Sequence, residues 1–240
     1  MPPAPPSPPL SYTTAPAVLP YTLRVHPHRP SPPSEPRHTH THRLCVGAAV
    51  LTPAQAPTPR KILLLRRSAR EKALPHRWEL PGGAADSPPD PDALAAAARE
   101  LWEETGLRAA RFAALVGCYQ WEGAGPGLVA APVPGDQAWG LADGGVGILE
   151  ASAAAAEGGA ARGRRDAWRK YTYLVEIETP ADGAAAAAEV VIDPEEHEAF
   201  VWATEEEVRA GRCGDVVFEW TSESQRLDVL RAFEIANKKR

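Results

Sequence analysis

The sequence predicts an α/β protein in which helices cover both faces of a mixed β-sheet, giving an α/β/α sandwich. The order of its segments predicts this fold class: short apolar runs typical of strands come first, one helical segment interrupts them, and two more helical segments follow the last strand. Apolar residues make up 44% of the 240-residue chain and charged residues 24%. Because no apolar run reaches about 18 residues, this composition is typical of a soluble globular domain.

Residues 1–42 are expected to form a disordered tail. They hold 13 of the 26 prolines and almost no periodic apolar pattern, so they bury too little surface to offset the entropy of ordering. The same prolines interrupt the apolar core of a secretory signal and oppose the amphipathic helix of an organellar transit peptide. We therefore expect a cytoplasmic or nuclear protein with one folded domain over residues 43–240. An organellar transit peptide stays an alternative, because residues 1–42 hold three arginines and only one carboxylate.

Four apolar or alternating segments are predicted to form the strands of the sheet. They are residues 44–51, 61–65, 111–121 and 168–178. Residues 123–166 and 181–188 are rich in Gly and Ala, so we expect an inserted loop and a second, shorter loop there. A short helix with a capping threonine and a terminal glycine is predicted over residues 204–211, and an amphipathic helix over residues 221–237.

A further helix is predicted between the second and third strands, over residues 91–105. Asp90 is expected to be its N-cap, because aspartate is favoured there and Pro91 suits the first helical position. Gly106 supplies the C-terminal stop.

Three glutamates of this helix lie at positions i, i+3 and i+4, so Glu100, Glu103 and Glu104 converge on one face. Like charges repel one another there unless a cation lies among them. Carboxylate oxygens without Cys or His suit hard ions, which favours Mg²⁺ or Mn²⁺ over zinc. Arg99 lies four residues before Glu103, where it can orient the glutamates by hydrogen bonding.

The segment that precedes the helix, residues 78–83, reads Trp-Glu-Leu-Pro-Gly-Gly. Because glycine has no Cβ, the backbone at Gly83 can approach a metal or a phosphate and offer its carbonyl oxygen as a ligand. Three glutamates at helical spacing are most often a solvated face. The joint occurrence of Pro-Gly-Gly, Arg-Glu, Glu-Glu and a final Gly-Leu, in this order, favours a metal site instead.

This arrangement resembles the Nudix box, G-x5-E-x7-R-E-U-x-E-E-x-G-U, in which U is a bulky aliphatic residue. The second half of the box matches in full, with its arginine and its glutamates at Arg99, Glu100, Glu103 and Glu104. The first half departs from the pattern. The stretch that follows Gly83 is two residues longer than in the box, and Pro89 stands where the box has a supporting glutamate.

The resemblance implies a Nudix-like fold with Mg²⁺ or Mn²⁺ as cofactor. It implies hydrolysis of a phosphoanhydride bond in a nucleoside diphosphate linked to another moiety, or in a similar organic pyrophosphate. A further carboxylate would deprotonate the attacking water, and Glu195, Glu196 and Glu198 on a later acidic strand are candidates. Residues 193–231 are similar to uncharacterised fungal Nudix proteins, which does not identify the substrate.

The expected partner is therefore a small phosphoanhydride substrate. A net charge of −5 and a pI near 5.8 offer no broad attraction for a nucleic-acid polymer or for an anionic membrane surface. Trp121, Tyr171 and Tyr173 could stack on a nucleotide base, although aromatic residues in strands more often belong to the core.

Two alternatives to an enzyme remain at this stage. Some Nudix-like domains have lost hydrolysis and only sense a nucleotide or bind a partner, and an acidic helix can also belong to a purely structural domain. Inactive domains often lack a metal-binding glutamate, whereas all three are present here. The sequence thus favours a hydrolase.

Overall fold

The computed structural model describes residues 11–18, 42–54, 57–85, 90–122, 167–178 and 189–238. The strands in these ranges are β1 (Thr13–Thr14), β2 (His42–Val50), β3 (Lys61–Arg67), β4 (Trp78–Glu79), β5 (Ala109–Glu122), β6 (Ala167–Ile177), β7 (His197–Thr204), β8 (Arg212–Cys213) and β9 (Val216–Val217). The helices are α1 (Ala93–Thr105), α2 (Glu205–Ala210) and α3 (Glu223–Lys238). Within these ranges, no helix combines the length and the apolar character needed to cross a membrane.

The strands form a mixed sheet and a smaller antiparallel one. In the mixed sheet the order is β1-β5-β6-β2, with β5 and β6 antiparallel and both outer strands parallel to their neighbours. The second sheet has the order β4-β3-β7 and is antiparallel throughout. An isolated bridge between Leu51 and Ile62 connects β2 with β3. Strands β8 and β9 form a separate pair.

Two apolar cores lie on opposite faces of these sheets, as the alternation of side chains along a strand requires. In β3, Leu63 and Leu65 belong to the core that also contains the apolar side of α1. Ile62 and Leu64 of the same strand belong to the other core, which contains the apolar residues of α2 and α3. The predicted α/β/α layers are thus confirmed.

Part of the predicted disordered tail is ordered. Strand β1 pairs with β5, Ala15 and Val18 are buried, and the ring of Tyr12 packs edge-to-face on Phe112 with centroids 4.9 Å apart. The prediction is therefore wrong for residues 11–18, because a few apolar side chains that show no periodicity still cover a core residue. Residues 1–10 and 19–41 of the tail lie outside the described ranges.

The other predicted strands and helices are observed with ends shifted by at most a few residues. The N-cap of α1 is an exception, because it is Asp92, whose side chain accepts a hydrogen bond from the Ala95 backbone N–H at 2.8 Å, and not Asp90. Gly106 ends the helix as predicted, in the left-handed conformation with φ 69°. The expected loops at 123–166 and 181–188 lie outside the described residues.

Candidate active site

Helix α1 places its three glutamates in different surroundings. Its apolar side packs into the core, which fixes the direction in which the acidic face points. Glu104 is 4% exposed and Glu100 is 9% exposed, whereas the side chain of Glu103 is 42% exposed. The acidic face therefore runs from the protein interior to the solvent.

The Pro-Gly-Gly turn lies directly against the two buried glutamates. The backbone N–H of Gly82 donates to Oε2 of Glu104 at 2.7 Å. A Cβ on Gly83 would lie 2.8 Å from Oε2 of Glu100, and a Cβ on Gly82 would lie 2.2 Å from the carbonyl oxygen of Val46. Gly82 also has φ 145°, which disfavours any side chain. Gly82 is thus required by its backbone neighbours and its φ, whereas a side chain at position 83 would displace the carboxylate of Glu100.

The carbonyl oxygen of Gly83, predicted to be a metal ligand, accepts a hydrogen bond from the Val46 backbone N–H at 2.9 Å. A carbonyl oxygen has a second lone pair. Its use by a metal therefore remains a prediction.

Arg99 contacts two of the glutamates and also the backbone next to the turn, where its Nη2 donates to the Ala84 carbonyl oxygen at 3.1 Å. Its Nη1 donates to Oε2 of Glu103 at 2.7 Å, as predicted, and its Nη2 lies 2.9 Å from Oε1 of Glu100. It also donates two hydrogen bonds to Asp90, from Nε at 3.1 Å and from Nη2 at 2.9 Å. This planar two-point contact with Asp90 was not predicted, and it fixes the guanidinium group beside the acidic face.

The buried glutamates favour their protonated forms when no cation is bound. Burial raises the pKa of Glu100 to about 7, with the nearby charges of Glu103 and Glu196 adding to the effect and Arg99 opposing it. Burial also raises the pKa of Glu104 well above its ordinary value, reinforced by Glu100 and Glu79. Arg99 alone therefore does not neutralise this face.

A family model described as the NUDIX domain matches residues 41–220. The match covers most of the chain and includes every site residue described so far. The chain belongs to the NUDIX family. A search of the curated proteins gave no match.

Solved NUDIX structures resemble the chain at low sequence identity. A MutT NUDIX hydrolase from Burkholderia pseudomallei is 18% identical with a TM-score of 0.45, and the match covers 79% of this chain and 96% of that one. An Ap4A hydrolase from C. elegans is 15% identical with a TM-score of 0.43, covering 82% and 99% of the two chains. The NUDIX domain of Shewanella oneidensis NrtR, solved with ADP ribose, is 17% identical with a TM-score of 0.44, covering 82% and 88%.

The NUDIX box of this chain has an aspartate near the position of its missing glutamate. Pro89 itself lies outside the described residues, but Asp90 beside it is 5% exposed and holds Arg99 at two points. This chain thus has a carboxylate one residue after the position at which the box pattern has its glutamate. The sequence alone predicts Asp90 to be the N-cap instead, because an Asp-Pro step at the start of a helix is typical of a cap.

The loop before β7 brings one more carboxylate to this NUDIX site. Ligand atoms of Glu104, Glu196 and His197 all lie within 4.8 Å of one another, so these side chains could hold a metal ion. The loop is fixed by Ser68, whose backbone N–H donates to the Glu196 carbonyl oxygen at 2.8 Å. Burial, together with nearby carboxylates and against the effect of His197, raises the pKa of Glu196.

The other two candidate carboxylates are engaged elsewhere. Glu195 forms an ion pair with Arg70. Glu198 contacts Nδ1 of His76 at 2.8 Å and Nε of Arg66 at 3.1 Å, and the contact with His76 lowers its pKa despite slight burial. Of the three predicted candidates, the structure brings only Glu196 to the acidic face.

Two buried residues behind Glu104 were not predicted. Nε2 of His197 lies 3.6 Å from Oε1 of Glu79 and 3.9 Å from Oε1 of Glu104, and Glu79 forms an ion pair with Arg67 at 2.7 Å. His197 is 2% exposed, and neither ring nitrogen has a hydrogen-bond partner among the described residues. In the sequence, His197 and Glu79 are only a histidine and a glutamate in separate strands. They come together because β4 and β7 both pair with β3.

Two of the three predicted base-stacking residues, Tyr171 and Tyr173, are not surface aromatics. Tyr171 and Tyr173 are buried in the core beneath α1, where Tyr173 packs edge-to-face on Phe112. Because α1 and the sheet cover them, the structure does not support a role in stacking for these two tyrosines. The side chain of Trp121 lies outside the described residues.

Proposed function

We propose that this NUDIX protein is a Mg²⁺- or Mn²⁺-dependent hydrolase that cleaves a phosphoanhydride bond in a nucleoside diphosphate derivative or a similar organic pyrophosphate. One observation carries the proposal: three glutamates converge on one face of α1, and the two buried ones keep raised pKa values although Arg99 contacts Glu100. Burying such carboxylates destabilises the protein unless they bind protons or cations.

The side chains present fit a hard divalent cation. Glu100, Glu103, Glu104 and Glu196 offer oxygen ligands, which Mg²⁺ and Mn²⁺ prefer, and His197 adds a ring nitrogen beside Glu104 and Glu196. The Gly83 carbonyl oxygen is a further candidate ligand. When bound, the cation would neutralise the pyrophosphate charge and lower the pKa of a coordinated water.

The protein residues supply orientation and a proton acceptor. Arg99, held by Asp90, orients Glu100 and Glu103, and Gly82 fixes Glu104 through its backbone N–H. Glu196 lies at the edge of the buried carboxylates, where it can accept the proton of the attacking water. Its raised pKa makes it a better proton acceptor near neutral pH.

A screen of phosphoanhydrides with Mg²⁺, scored by phosphate release after phosphatase coupling, tests the function. Dinucleoside polyphosphates, nucleotide sugars, ADP-ribose, damaged nucleoside triphosphates and inositol pyrophosphates make up the panel. EDTA should abolish turnover and Mg²⁺ or Mn²⁺ should restore it. Turnover unchanged in excess EDTA would contradict the proposal.

Single glutamate substitutions test whether the hydrolysis depends on this site. Glu103→Gln and Glu104→Gln should each lower kcat on the order of 100-fold or more, because each removes a charged ligand. Glu206→Gln, at an exposed glutamate of α2, is the matched control and should leave kcat unchanged. Nucleotide binding without turnover of any phosphoanhydride would support the alternative of an inactive binding module.

A further inference from the structure

The imidazole ring of His197 lies in the protein interior beside the acidic face of α1. The residue is 2% exposed, and neither of its ring nitrogens has a hydrogen-bond partner among the described residues. A buried polar atom without a partner destabilises the fold, so buried imidazole nitrogens normally form hydrogen bonds or bind a metal. This ring is therefore a candidate ligand.

Two carboxylates face Nε2 of His197 at distances too long for a hydrogen bond. Oε1 of Glu104 lies 3.9 Å away and Oε1 of Glu79 lies 3.6 Å away. An N–H···O hydrogen bond spans about 2.7–3.2 Å, so a ring that served the fold alone would lie closer to one of them. Glu79 instead forms its short ion pair with Arg67, at 2.7 Å, which balances its charge.

The separation between His197 and Glu104 is suited to two ligands of one cation. First-row metal ions bind nitrogen and oxygen ligands at about 2.0–2.2 Å, so two ligands of one ion lie at most about 4.4 Å apart. The ligand atoms of Glu104, Glu196 and His197 all lie within 4.8 Å of one another. Glu196 can close the remaining distance, because its side chain is exposed and forms no hydrogen bond or ion pair with a described residue.

The charges of this cluster also favour a cation. Glu104 is 4% exposed and accepts a hydrogen bond from the backbone N–H of Gly82. Among the described residues, no Lys or Arg side chain forms an ion pair with Glu104 or Glu196. A divalent cation would compensate both carboxylates and give the ring nitrogen of His197 a partner. The exposed position of Glu196 gives it access from the solvent.

A nitrogen ligand changes which cation such a cluster prefers. Mg²⁺ is a hard ion that keeps several waters and binds oxygen ligands, whereas imidazole is suited to first-row transition metals. The set of one imidazole and two carboxylates thus differs chemically from the three glutamates that the sequence predicts.

We propose that Nε2 of His197 is a ligand of the cation at Glu104 and Glu196, and that it makes this position select a first-row transition-metal ion such as Mn²⁺ over Mg²⁺. The inference rests on the proposed function, because it names the cation of the same site. It assigns a role to a buried histidine that neither a hydrogen bond nor a close ion pair explains.

The test is pulsed electron paramagnetic resonance of the full-length protein with one equivalent of Mn²⁺. A ring nitrogen that coordinates Mn²⁺ modulates the electron spin echo, and labelling with ¹⁵N-histidine changes this modulation. We expect histidine modulation in the wild type and its loss in His197→Gln. The chain has seven histidines, so a variant with Gln at the other six keeps His197 alone and should retain the modulation.

Calorimetric titrations measure the metal preference without any turnover. The wild type should bind Mn²⁺ about tenfold or more tightly than Mg²⁺, and His197→Gln should remove most of this preference by raising the Kd for Mn²⁺. His76→Gln is the matched control at an exposed histidine and should leave both Kd values unchanged. A wild type that binds Mg²⁺ as tightly as Mn²⁺ would overturn the inference.

The variant that keeps His197 alone decides the matter if His197→Gln does not fold. Loss of histidine modulation in that variant, or its persistence in folded His197→Gln, would overturn the inference. Turnover with Mn²⁺ but without histidine modulation would overturn the inference alone. Modulation from His197 without turnover of any phosphoanhydride in the screen would overturn only the proposed function.

Discussion

Glu100 is buried against Gly83 and has a pKa of about 7. This raised pKa should make the stability of the metal-free protein depend on pH. Because the folded pKa lies above the ordinary value of 4.5, the stabilisation from its protonation is present below about pH 4.5 and is lost as the pH rises through about 7. We therefore expect the melting temperature in EDTA to fall between pH 5 and about pH 8. Saturating Mg²⁺ should reverse this fall, because a bound cation favours the ionised carboxylate.

Thermal melts across this pH range, with and without Mg²⁺, check the expectation. Glu100→Gln is the control, because it cannot titrate and should flatten the profile in EDTA. Some slope should remain, since the pKa of Glu104 is also raised by burial. An EDTA profile of Glu100→Gln as steep as that of the wild type would contradict the assignment to Glu100.

Asp90 and Asp92 lie two residues apart and have separable roles. Asp90→Asn should raise the Mg²⁺ concentration for half-maximal rate by roughly 10-fold or more, because Arg99 loses a charged two-point partner and orients the glutamates less firmly. Asp92→Ala should lower the free energy of unfolding by about 1 kcal/mol with an unchanged metal requirement, because it removes only the cap of α1. Metal titrations and denaturant melts of both variants separate the two effects, and an unchanged metal requirement in Asp90→Asn would contradict the role of Asp90.

At the scale of secondary-structure elements, deletion of β1 should destabilise the protein although its sequence is typical of a disordered tail. Removing residues 1–18 exposes Phe112, which contacts Tyr12, and deletes the pairing with β5. We expect a loss of about 1–3 kcal/mol, or a few degrees in melting temperature. Removing residues 1–10 should leave the melting temperature unchanged. Equal melting temperatures for the two deletions would show that β1 contributes nothing.

The sequence predicts elements that carry their own pattern. Strands β2, β3, β5 and β6 and helix α1 could be predicted because their apolar pattern, and for α1 its terminal glycine, lie within the segment itself. The glutamates of the site could be predicted because one box holds them in order. Asp90 could not be distinguished from Asp92, because both satisfy the rules for an N-cap and only the contact of Asp90 with Arg99 decides between them.

Contacts between distant segments could not be predicted from one sequence. His197 and Glu79 approach each other only because β4 and β7 flank β3. Lys170 and Gln225 meet only because α3 packs on the face of the mixed sheet. Neither pair lies within a motif, so no local pattern predicts their approach.

At the scale of the whole molecule, the long connection between β5 and β6 should be dispensable for folding. Glu122 and Ala167 stand opposite each other in an antiparallel pair, so a two-residue Asn-Gly turn can join them. Replacing residues 123–166 with this turn should raise the free energy of unfolding by roughly 3 kcal/mol through the shorter loop. Activity should stay within a few-fold of the wild type. Denaturant melts and kcat/KM on the best substrate of the screen check both expectations, and a collapse in kcat/KM would show that the connection takes part in catalysis.

The parallel pairing of β2 with β6 also sets the order of events during synthesis. His42 of β2 is paired with Ala167 of β6, about 125 residues later. A ribosome that adds about 5–20 residues each second needs roughly 6–25 seconds to cover this distance. During that interval the apolar strand β2 has left the exit tunnel without its neighbour in the mixed sheet, and such an edge is prone to aggregate. The nascent chain should therefore engage holding chaperones, and the mixed sheet should close only when about three quarters of the chain has been made.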